Sequence, residues 1–218
     1  MTRPTSATRP PVTRRPNALS DTAELRLPAQ ERGARRVEAI LDAAAELLVE
    51  VGVEGLTVQA LAERAETSKG SLYHFFPDMP AVFRALADRH LQEISRIVAA
   101  IMSDATLDWR TMYPSAVVQQ VLAPLDYLER HSDLLALIRS PGVLPRSSRS
   151  MEPIHEFVDF ILSARFPTMP ADRRCARAAT ICAVIDGAVT TAVQGCIRGA
   201  AGMRRELEEM LSIYISGL

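Results

Sequence analysis

The sequence predicts an all-α protein, and three observations lead to this fold class. From Gln30 onward apolar residues recur at helical spacing, and no sustained alternation of apolar and polar residues requires a strand. Hydrophobic residues make up 48% of the 218 residues, which is enough for a packed core. Capping residues, glycines and prolines divide the sequence into successive helical segments. We therefore expect a small helical N-terminal unit followed by a larger helical C-terminal unit.

Residues 1–28 have a composition that cannot bury a core. They are rich in proline, threonine and arginine and contain no acidic residue before Asp21. We interpret this segment as a disordered basic arm. A transit peptide is the alternative, since such peptides are also rich in arginine and serine, but the proline density disfavours an amphipathic helix.

The first helices follow from apolar spacing and from capping residues. One apolar stripe predicts a first helix that Gly52 closes; its members are Val37, Ile40, Leu41, Ala44, Leu47, Leu48 and Val51. Thr57 is an N-cap for a short second helix, and Ser68 caps a short third helix that ends near Phe76. A longer fourth helix is expected from Pro80 to about Asp104, with His90 on its apolar stripe. Further helices are predicted at residues 114–131, 132–139, 150–165, 171–198 and 203–216, with a flexible connection at 140–148.

Two short helices joined by a tight turn form a helix-turn-helix, whose second helix is suited to the major groove of DNA. Its free N–H groups attract phosphate, and its small polar side chains allow a close approach. We expect Lys69 to donate to guanine and Ser71 to reach base edges or phosphate. Phosphate contacts are expected from Tyr73 and His74 and, at the start of the first helix, from Arg35 and Arg36.

Charge alone argues against DNA binding. The formal net charge is -1, and between Gln30 and His90 7 basic residues stand against 10 acidic ones. The acids of the first helix fall on one stripe that need not face the duplex, however. The basic residues Lys69, Arg35 and Arg36 lie at two helix starts that should face it.

Four stretches of the N-terminal unit match a known pattern: ILDAA at 40–44, GLTV at 55–58, LAERA at 61–65 and TSKGSLYHFFP at 67–77. Over roughly residues 32 to 95 the chain resembles the N-terminal domain of the TetR family of transcriptional regulators. The resemblance implies a recognition helix at 68–76, with Thr57 and Tyr73 on the phosphate backbone. The full set of expected DNA-contacting residues is Arg35, Arg36, Thr57, Thr67, Ser68, Lys69, Gly70, Ser71, Tyr73 and His74.

The chain departs from the family pattern at two places. Glu66 and Thr67 stand where the family usually has Gly-Val in the turn, which brings a negative charge near DNA. Asp78, Met79 and Pro80 stand where the family usually has Ser-Lys-Glu, so a common phosphate-binding lysine is absent. We therefore expect affinity to depend more on the arginines that precede and begin the first helix.

The C-terminal unit resembles the family in architecture and in the segment VIDGA at 184–188. In the family the last two helices pair with their copies in a second subunit. Small residues at Ala183, Gly187 and Ala192, with Val189, allow a close homodimer interface. A buried helix within a monomer is the alternative.

A sensing pocket is expected between helices 4 and 8, where Pro124 should kink the fifth helix. The candidate ligand-binding residues are Tyr113, Tyr127, His131, His155 and Phe157. The alternative for each histidine, including His90, is a satisfied residue of the core or of the domain junction.

We predict a division into the arm at 1–28, a helix-turn-helix domain at 29–79 and a ligand-binding and dimerisation domain at 80–218. The expected function is a cytoplasmic repressor that leaves a palindromic operator when a small, largely apolar ligand binds. A helical-bundle enzyme is disfavoured because no nucleophile-base pair, phosphate loop or HExxH-type metal spacing occurs, so no catalytic residue, cofactor or metal is expected. A ligand-independent DNA-binding protein is a further alternative.

Three cysteines without CxxC spacing indicate neither a disulfide framework nor zinc, although a thiol sensor stays open. The apolar segment at 180–193 is interrupted by Asp186, so no membrane partner is expected.

Overall fold

The computed structural model describes residues 29–140, 142–143, 152–193 and 200–218. These residues form nine α-helices and no strand, which confirms the all-α class. The helices are α1 (Ala29–Gly55), α2 (Val58–Arg64), α3 (Lys69–Phe75), α4 (Met79–Ser103), α5 (Pro114–Arg130), α6 (Ser132–Arg139), α7 (Glu152–Arg165), α8 (Ala171–Val193) and α9 (Ala200–Ser216). The predicted arm at 1–28 and most of the connection at 140–148 lie outside the described residues.

Side-chain caps explain where the short helices begin. Thr57 Oγ1 accepts a hydrogen bond from the Ala60 N–H at 3.1 Å, and Ser68 Oγ accepts one from the Ser71 N–H at 3.1 Å. Both predicted N-caps are therefore confirmed. Asp78 caps α4 in the same way, so this helix begins at Met79.

The first helix is longer than its apolar stripe predicted. It begins at Ala29, and helical structure continues to Gly55, past Gly52. Gly52 has the left-handed φ of a helix-ending glycine, 70°, but the chain resumes a helical turn after it. The prediction that Gly52 closes the first helix is confirmed, because its non-helical φ and ψ separate that helix from a short helical turn that ends at Gly55.

The buried residues form two apolar clusters. The N-terminal core is built from α1 to α3 and the first two turns of α4, with residues such as Ile40, Leu61, Leu72 and Leu86. The C-terminal core is built from the rest of α4 and from α5 to α9. Both clusters therefore share α4.

The sixth helix also joins the two cores. Leu134 belongs to the C-terminal core, whereas Leu137, one turn later, is fully buried in the N-terminal core. α6 packs against α1, α4 and α5. The relative position of the two cores therefore depends on α4 and α6.

One helix has unusual composition for a surface element. By length and composition alone, Ala171–Ala192 could cross a membrane, and 22% of its most apolar window is buried. It packs against α7 and α9 through Ala178, Ile181, Cys182 and Ile185. A core helix passes the same test, so composition gives only weak support for a membrane span.

Candidate nucleic-acid interface

The turn between α2 and α3 is made by a residue in a left-handed conformation. Glu66 has φ 48°, and the next N–H, that of Thr67, donates to the Ala62 carbonyl at 2.9 Å. This conformation costs an L-residue free energy that a glycine does not lose. The fold thus keeps the turn that a glycine would make most easily, with an exposed carboxylate in its place.

The third helix is held by one face and presents the other to solvent. Leu72 is 1% exposed and anchors α3 in the N-terminal core. Lys69, Gly70 and His74 are exposed, and Tyr73 is 50% exposed although it is a large aromatic residue. Four of the predicted DNA-contacting residues therefore lie together on one outward surface.

Gly70 lies on that outward surface, and packing within the fold does not require a glycine there. A Cβ at this position would find Ser68 Oγ as its nearest neighbour, at 3.9 Å. The fold itself therefore has room for a side chain at Gly70. A residue without a side chain at this point favours a close approach by a partner.

Each of the two capping hydroxyl groups can still donate one hydrogen bond. Thr57 and Ser68 each use an oxygen lone pair to accept a backbone hydrogen bond, and both residues are exposed. A hydroxyl can accept and donate at once, so each O–H remains available for a phosphate oxygen. Thr67 and Ser71 are half-buried beside them.

Ion pairs locally neutralise several acids of the first helix. Arg64 on α2 binds Glu46 at 3.0 Å and Glu50 at 2.7 Å, both on α1. These hydrogen bonds raise the pKa of Arg64 and lower that of Glu50. The acids of the first helix are thus neutralised on the side where α2 packs.

A second set of ion pairs joins α1 to α4. Arg89 binds Asp42 at 2.6 Å and Glu38 at 3.3 Å. By contrast, Lys69, Arg32, Arg35 and Arg36 contact no acid among the described residues. Within the N-terminal unit, Lys69, Arg35 and Arg36, which sequence analysis placed at the helix starts facing DNA, thus have no acidic partner among the described residues.

The predicted ligand-binding residues do not form one site. Tyr127 and His131 stack with their ring centroids 3.8 Å apart, at the end of α5. Phe157 is fully buried beside Trp109, with centroids 6.3 Å apart, whereas His155 on α7 is half-buried. Tyr113 is 81% exposed because it precedes α5 at the surface.

Neither of two depressions on the described surface lies between α4 and α8. One, of about 500 Å³, runs along the outer face of α4 at Asp88, Leu91, Gln92, Ser95 and Arg96. The other, of about 460 Å³, is at α1, α2 and the turn that follows α2. None of the predicted ligand-binding residues lines either depression.

Sequence analysis missed a buried polar network behind the predicted site. His90 Nδ1 lies 2.7 Å from the Tyr127 hydroxyl, and His90 Nε2 lies 2.8 Å from Asp133 Oδ2. Burial opposes the charge of Asp133, but hydrogen bonds, first of all that with His90, outweigh this effect and keep the pKa of the carboxyl below its ordinary value. Burial raises the pKa of Tyr127. Asp133 follows Ser132 at a helix start, where acids are usually exposed, so only the apolar stripe around His90 hinted at this network.

Apolar and small residues are exposed on the last two helices. Ala183 and Gly187 are exposed, Val189 and Ala192 are half-buried, and a Cβ at Gly187 would meet no atom within 4 Å. On α9, Ile213 is 74% and Met210 46% exposed. The two α9 residues were not among the predicted interface residues, which all lie on α8.

Comparisons with known proteins agree with the geometry of the N-terminal unit. The family model for bacterial regulatory proteins of the tetR family matches residues 40–86. An uncharacterised HTH-type transcriptional regulator of Mycobacterium bovis is 28% identical over 101 residues, which cover 46% of this chain and 49% of that relative. The match thus spans about half the length of the curated relative.

Solved structures extend the likeness to both cores. A TetR-family transcriptional regulator from Streptomyces coelicolor is 26% identical with a TM-score of 0.59, over 86% of this chain and 99% of that one. A gamma-butyrolactone receptor described as ArpA-like shares the fold at 20% identity and a TM-score of 0.54, over 85% of this chain and 89% of that one.

The outward-facing helix α3 on an all-helical chain with two cores agrees with a DNA-binding transcriptional regulator, and the matching proteins are regulators and not enzymes. Over residues 40–86 the chain is therefore similar to the tetR family of bacterial regulatory proteins.

Proposed function

We propose that the protein is a homodimeric, cytoplasmic repressor that binds a palindromic operator and leaves it when a small, largely apolar ligand binds. The observation that carries the proposal is the outward surface of α3, where Lys69, Gly70, Tyr73 and His74 are all exposed. Lys69 donates to guanine, and Tyr73 and the hydroxyls of Thr57 and Ser68 bind phosphate. We keep the division at residues 79 and 80 as part of this proposal.

The dimer is supported by the composition of α8 and α9. Exposed Ile213 and Met210 and the small residues Ala183 and Gly187 expose apolar area that a second copy would bury. A C2 dimer presents two recognition helices, which match two half-sites of a palindrome. An operator with two-fold symmetry is therefore the expected target.

Ligand release has weaker support than DNA binding. A receptor for a gamma-butyrolactone uses the same fold, so a small molecule of this size is a reasonable model effector. The candidate contacts remain Tyr113, Tyr127, His131, His155 and Phe157. Because Phe157 and Tyr127 are buried in a packed core, binding requires these side chains to move apart.

A ligand-independent regulator is the second candidate function, and the positions of the two surface depressions favour it. Operator affinity separates the two candidates. A ligand-controlled repressor loses affinity with a bound ligand, and operator DNA must weaken ligand binding by the same factor, typically about 5- to 150-fold. Equal ligand binding with and without operator would support the second candidate.

The first experiment selects the operator from genomic and random DNA with the purified protein. We expect enrichment of a palindrome, and Lys69→Ala should relax the preference at a base pair in each half-site. The matched control is Arg96→Ala, an exposed cation on α4 away from α3. Failure to enrich any sequence would contradict the proposal.

A further inference from the structure

His90 lies where the two cores meet along α4. Leu86 and Ala87, just before it, are buried in the N-terminal core, whereas Ile94, one turn after it, is buried in the C-terminal core. Only 3% of His90 is exposed. A polar side chain therefore stands at the point where α4 passes from one core to the other.

The partners of His90 come from the two helices that meet α4 there. The Tyr127 hydroxyl on α5 lies 2.7 Å from Nδ1, and Asp133 Oδ2 on α6 lies 2.8 Å from Nε2. In the neutral imidazole, Nε2–H donates to Asp133 and Nδ1 accepts from Tyr127 O–H, so one directional chain joins three helices. His131 stacks on Tyr127 and supports its ring.

Such a network adds little to the stability of the fold, but it fixes the relative positions of the helices that it joins. Removing charged and polar groups from water costs free energy that a well-packed apolar core does not lose, so leucines could hold these helices together equally well. Hydrogen bonds at 2.7 and 2.8 Å are directional, however, and they accept only one relative placement of α4, α5 and α6. The network thus fixes geometry at the junction.

The geometry of this junction reaches the DNA-binding surface through two connections. α4 begins at Met79, directly after the recognition helix, and α6 packs against α1. From His90 to Met79 the helix extends about 16 Å at 1.5 Å per residue. A tilt of about 10° at His90 would therefore move the start of α4 by roughly 3 Å, close to the ~3.4 Å rise of one base pair.

We propose that His90, Tyr127 and Asp133 are positioning residues that hold α4 at one angle over α6 and thereby set the distance between the two recognition helices. The proposal rests on the homodimer proposed above, because one subunit has no distance to set. The three residues touch no DNA, so their effect is on the spacing of half-sites and not on the bases read.

The test measures affinity for synthetic operators whose selected half-sites are separated by one base pair less than, equal to, or one more than the wild-type optimum. Tyr127→Phe removes one O–H and keeps the ring that stacks on His131. Asp133→Leu removes the acceptor, whereas Asp133→Asn keeps an oxygen for the His90 N–H. Ile181→Val is the control, because it trims the C-terminal core at a residue that is 1% exposed and away from the junction.

We expect the wild type to prefer one spacing by at least tenfold. Tyr127→Phe and Asp133→Leu should reduce that preference by at least fivefold while the bases preferred within each half-site stay the same, and Asp133→Asn and Ile181→Val should keep it. A merely structural role would lower the melting temperature without changing the ratio of affinities between spacings. If Asp133→Leu does not fold, Tyr127→Phe decides the result.

Two outcomes overturn the proposal and are distinguishable from each other. A wild type that sediments as a dimer but binds all three spacings alike, or a Tyr127→Phe variant with the wild-type ratio, contradicts the positioning role alone. A wild type that sediments as a monomer at micromolar concentration overturns both this inference and the proposed dimer.

Discussion

The two cores of this protein use polar residues in opposite ways. In the N-terminal core the ion pairs of Arg64 and Arg89 join helices at the surface, and polar side chains of α3 face outward. Where the C-terminal core meets the N-terminal one, His90 and Asp133 are buried, and on the C-terminal unit Ile213 and Met210 are exposed. An outward polar surface suits DNA, and an outward apolar surface suits another copy of the chain.

This difference explains why function was easier to infer for the first half of the chain. The tetR family model matches residues 40–86, which lie in the N-terminal core and in the turns of α4 that pack on it. Most of the proposed DNA contacts lie on one short helix and the residues just before it, at 67–74, so they are nearly consecutive in sequence. The proposed ligand contacts lie on α5, just before and just after it, and on α7, so they leave no compact motif in the sequence.

The largest expected effect tests the outward apolar surface of the C-terminal unit. Gly187→Arg should weaken dimerisation by about 3 kcal/mol or more, because a charge would be buried without a partner. The monomer tolerates the change, since a Cβ at Gly187 meets no atom within 4 Å. Sedimentation velocity and operator binding should decline together, and Ala192→Glu should act in the same direction.

Ser163→Arg, on the exposed side of α7, is the matched control and should leave the dimer intact. A Gly187→Arg protein that still sediments as a dimer would place the interface elsewhere.

The next effect tests the outward polar surface of α3. Lys69→Ala should cost about 1–3 kcal/mol per half-site if Lys69 reads guanine, and the loss should be confined to one base pair. Binding to a systematic set of single-base operator variants measures this. An equal loss on every sequence would make Lys69 a phosphate contact instead.

Substitution of Arg35, which has no acidic partner among the described residues, should affect DNA binding differently from substitution of the ion-paired Arg64. Arg35→Gln should weaken all sequences alike and flatten the salt dependence of binding by about 0.9 log units for one lost phosphate contact. The slope of log affinity against log salt concentration is measured by titrations between about 50 and 200 mM salt. Arg64→Gln, whose charge is already neutralised by Glu46 and Glu50, should leave the slope unchanged.

A smaller effect comes from the turn before α3. Glu66→Gly should raise the free energy of unfolding by at most about 1 kcal/mol, because glycine adopts φ 48° without the strain of a side chain. Operator affinity should also rise, since a carboxylate near DNA is removed. Glu66→Gln, which removes only the charge, separates the two contributions in urea unfolding and in DNA binding.

The smallest effect at neutral pH concerns the buried network. The folded state lowers the pKa of Asp133, so its carboxylate contributes stability above the ordinary carboxyl range, and this contribution is lost as the pH falls through the lowered value. Asp133→Asn, which keeps the hydrogen bond from His90, should therefore lose less stability than the wild type between pH 5 and 2, about the acid range. Parallel pH profiles of the two melting temperatures would contradict this.

Local interactions let the sequence determine the helices and the recognition unit by itself. A cap is a contact between residues three apart, as at Thr57 and Ser68, and an apolar stripe repeats within one helix. The ends of α6 and the start of α5 were predicted at the observed residues for this reason. The helical turn after Gly52 escaped prediction, because the glycine itself gives no sign that the helix resumes.

Only the tertiary structure decided which helices meet and what lies between them. Arg64 pairs with Glu46 18 residues away, and His90 binds Asp133 43 residues away. Helical periodicity shows which face of a helix is apolar but not which element covers it, so the sequence grouped Tyr113 with Tyr127 although one is 81% exposed and the other is buried. Distances across a helical bundle depend on all of its packed side chains at once, and therefore the junction at His90 became visible only in the folded chain.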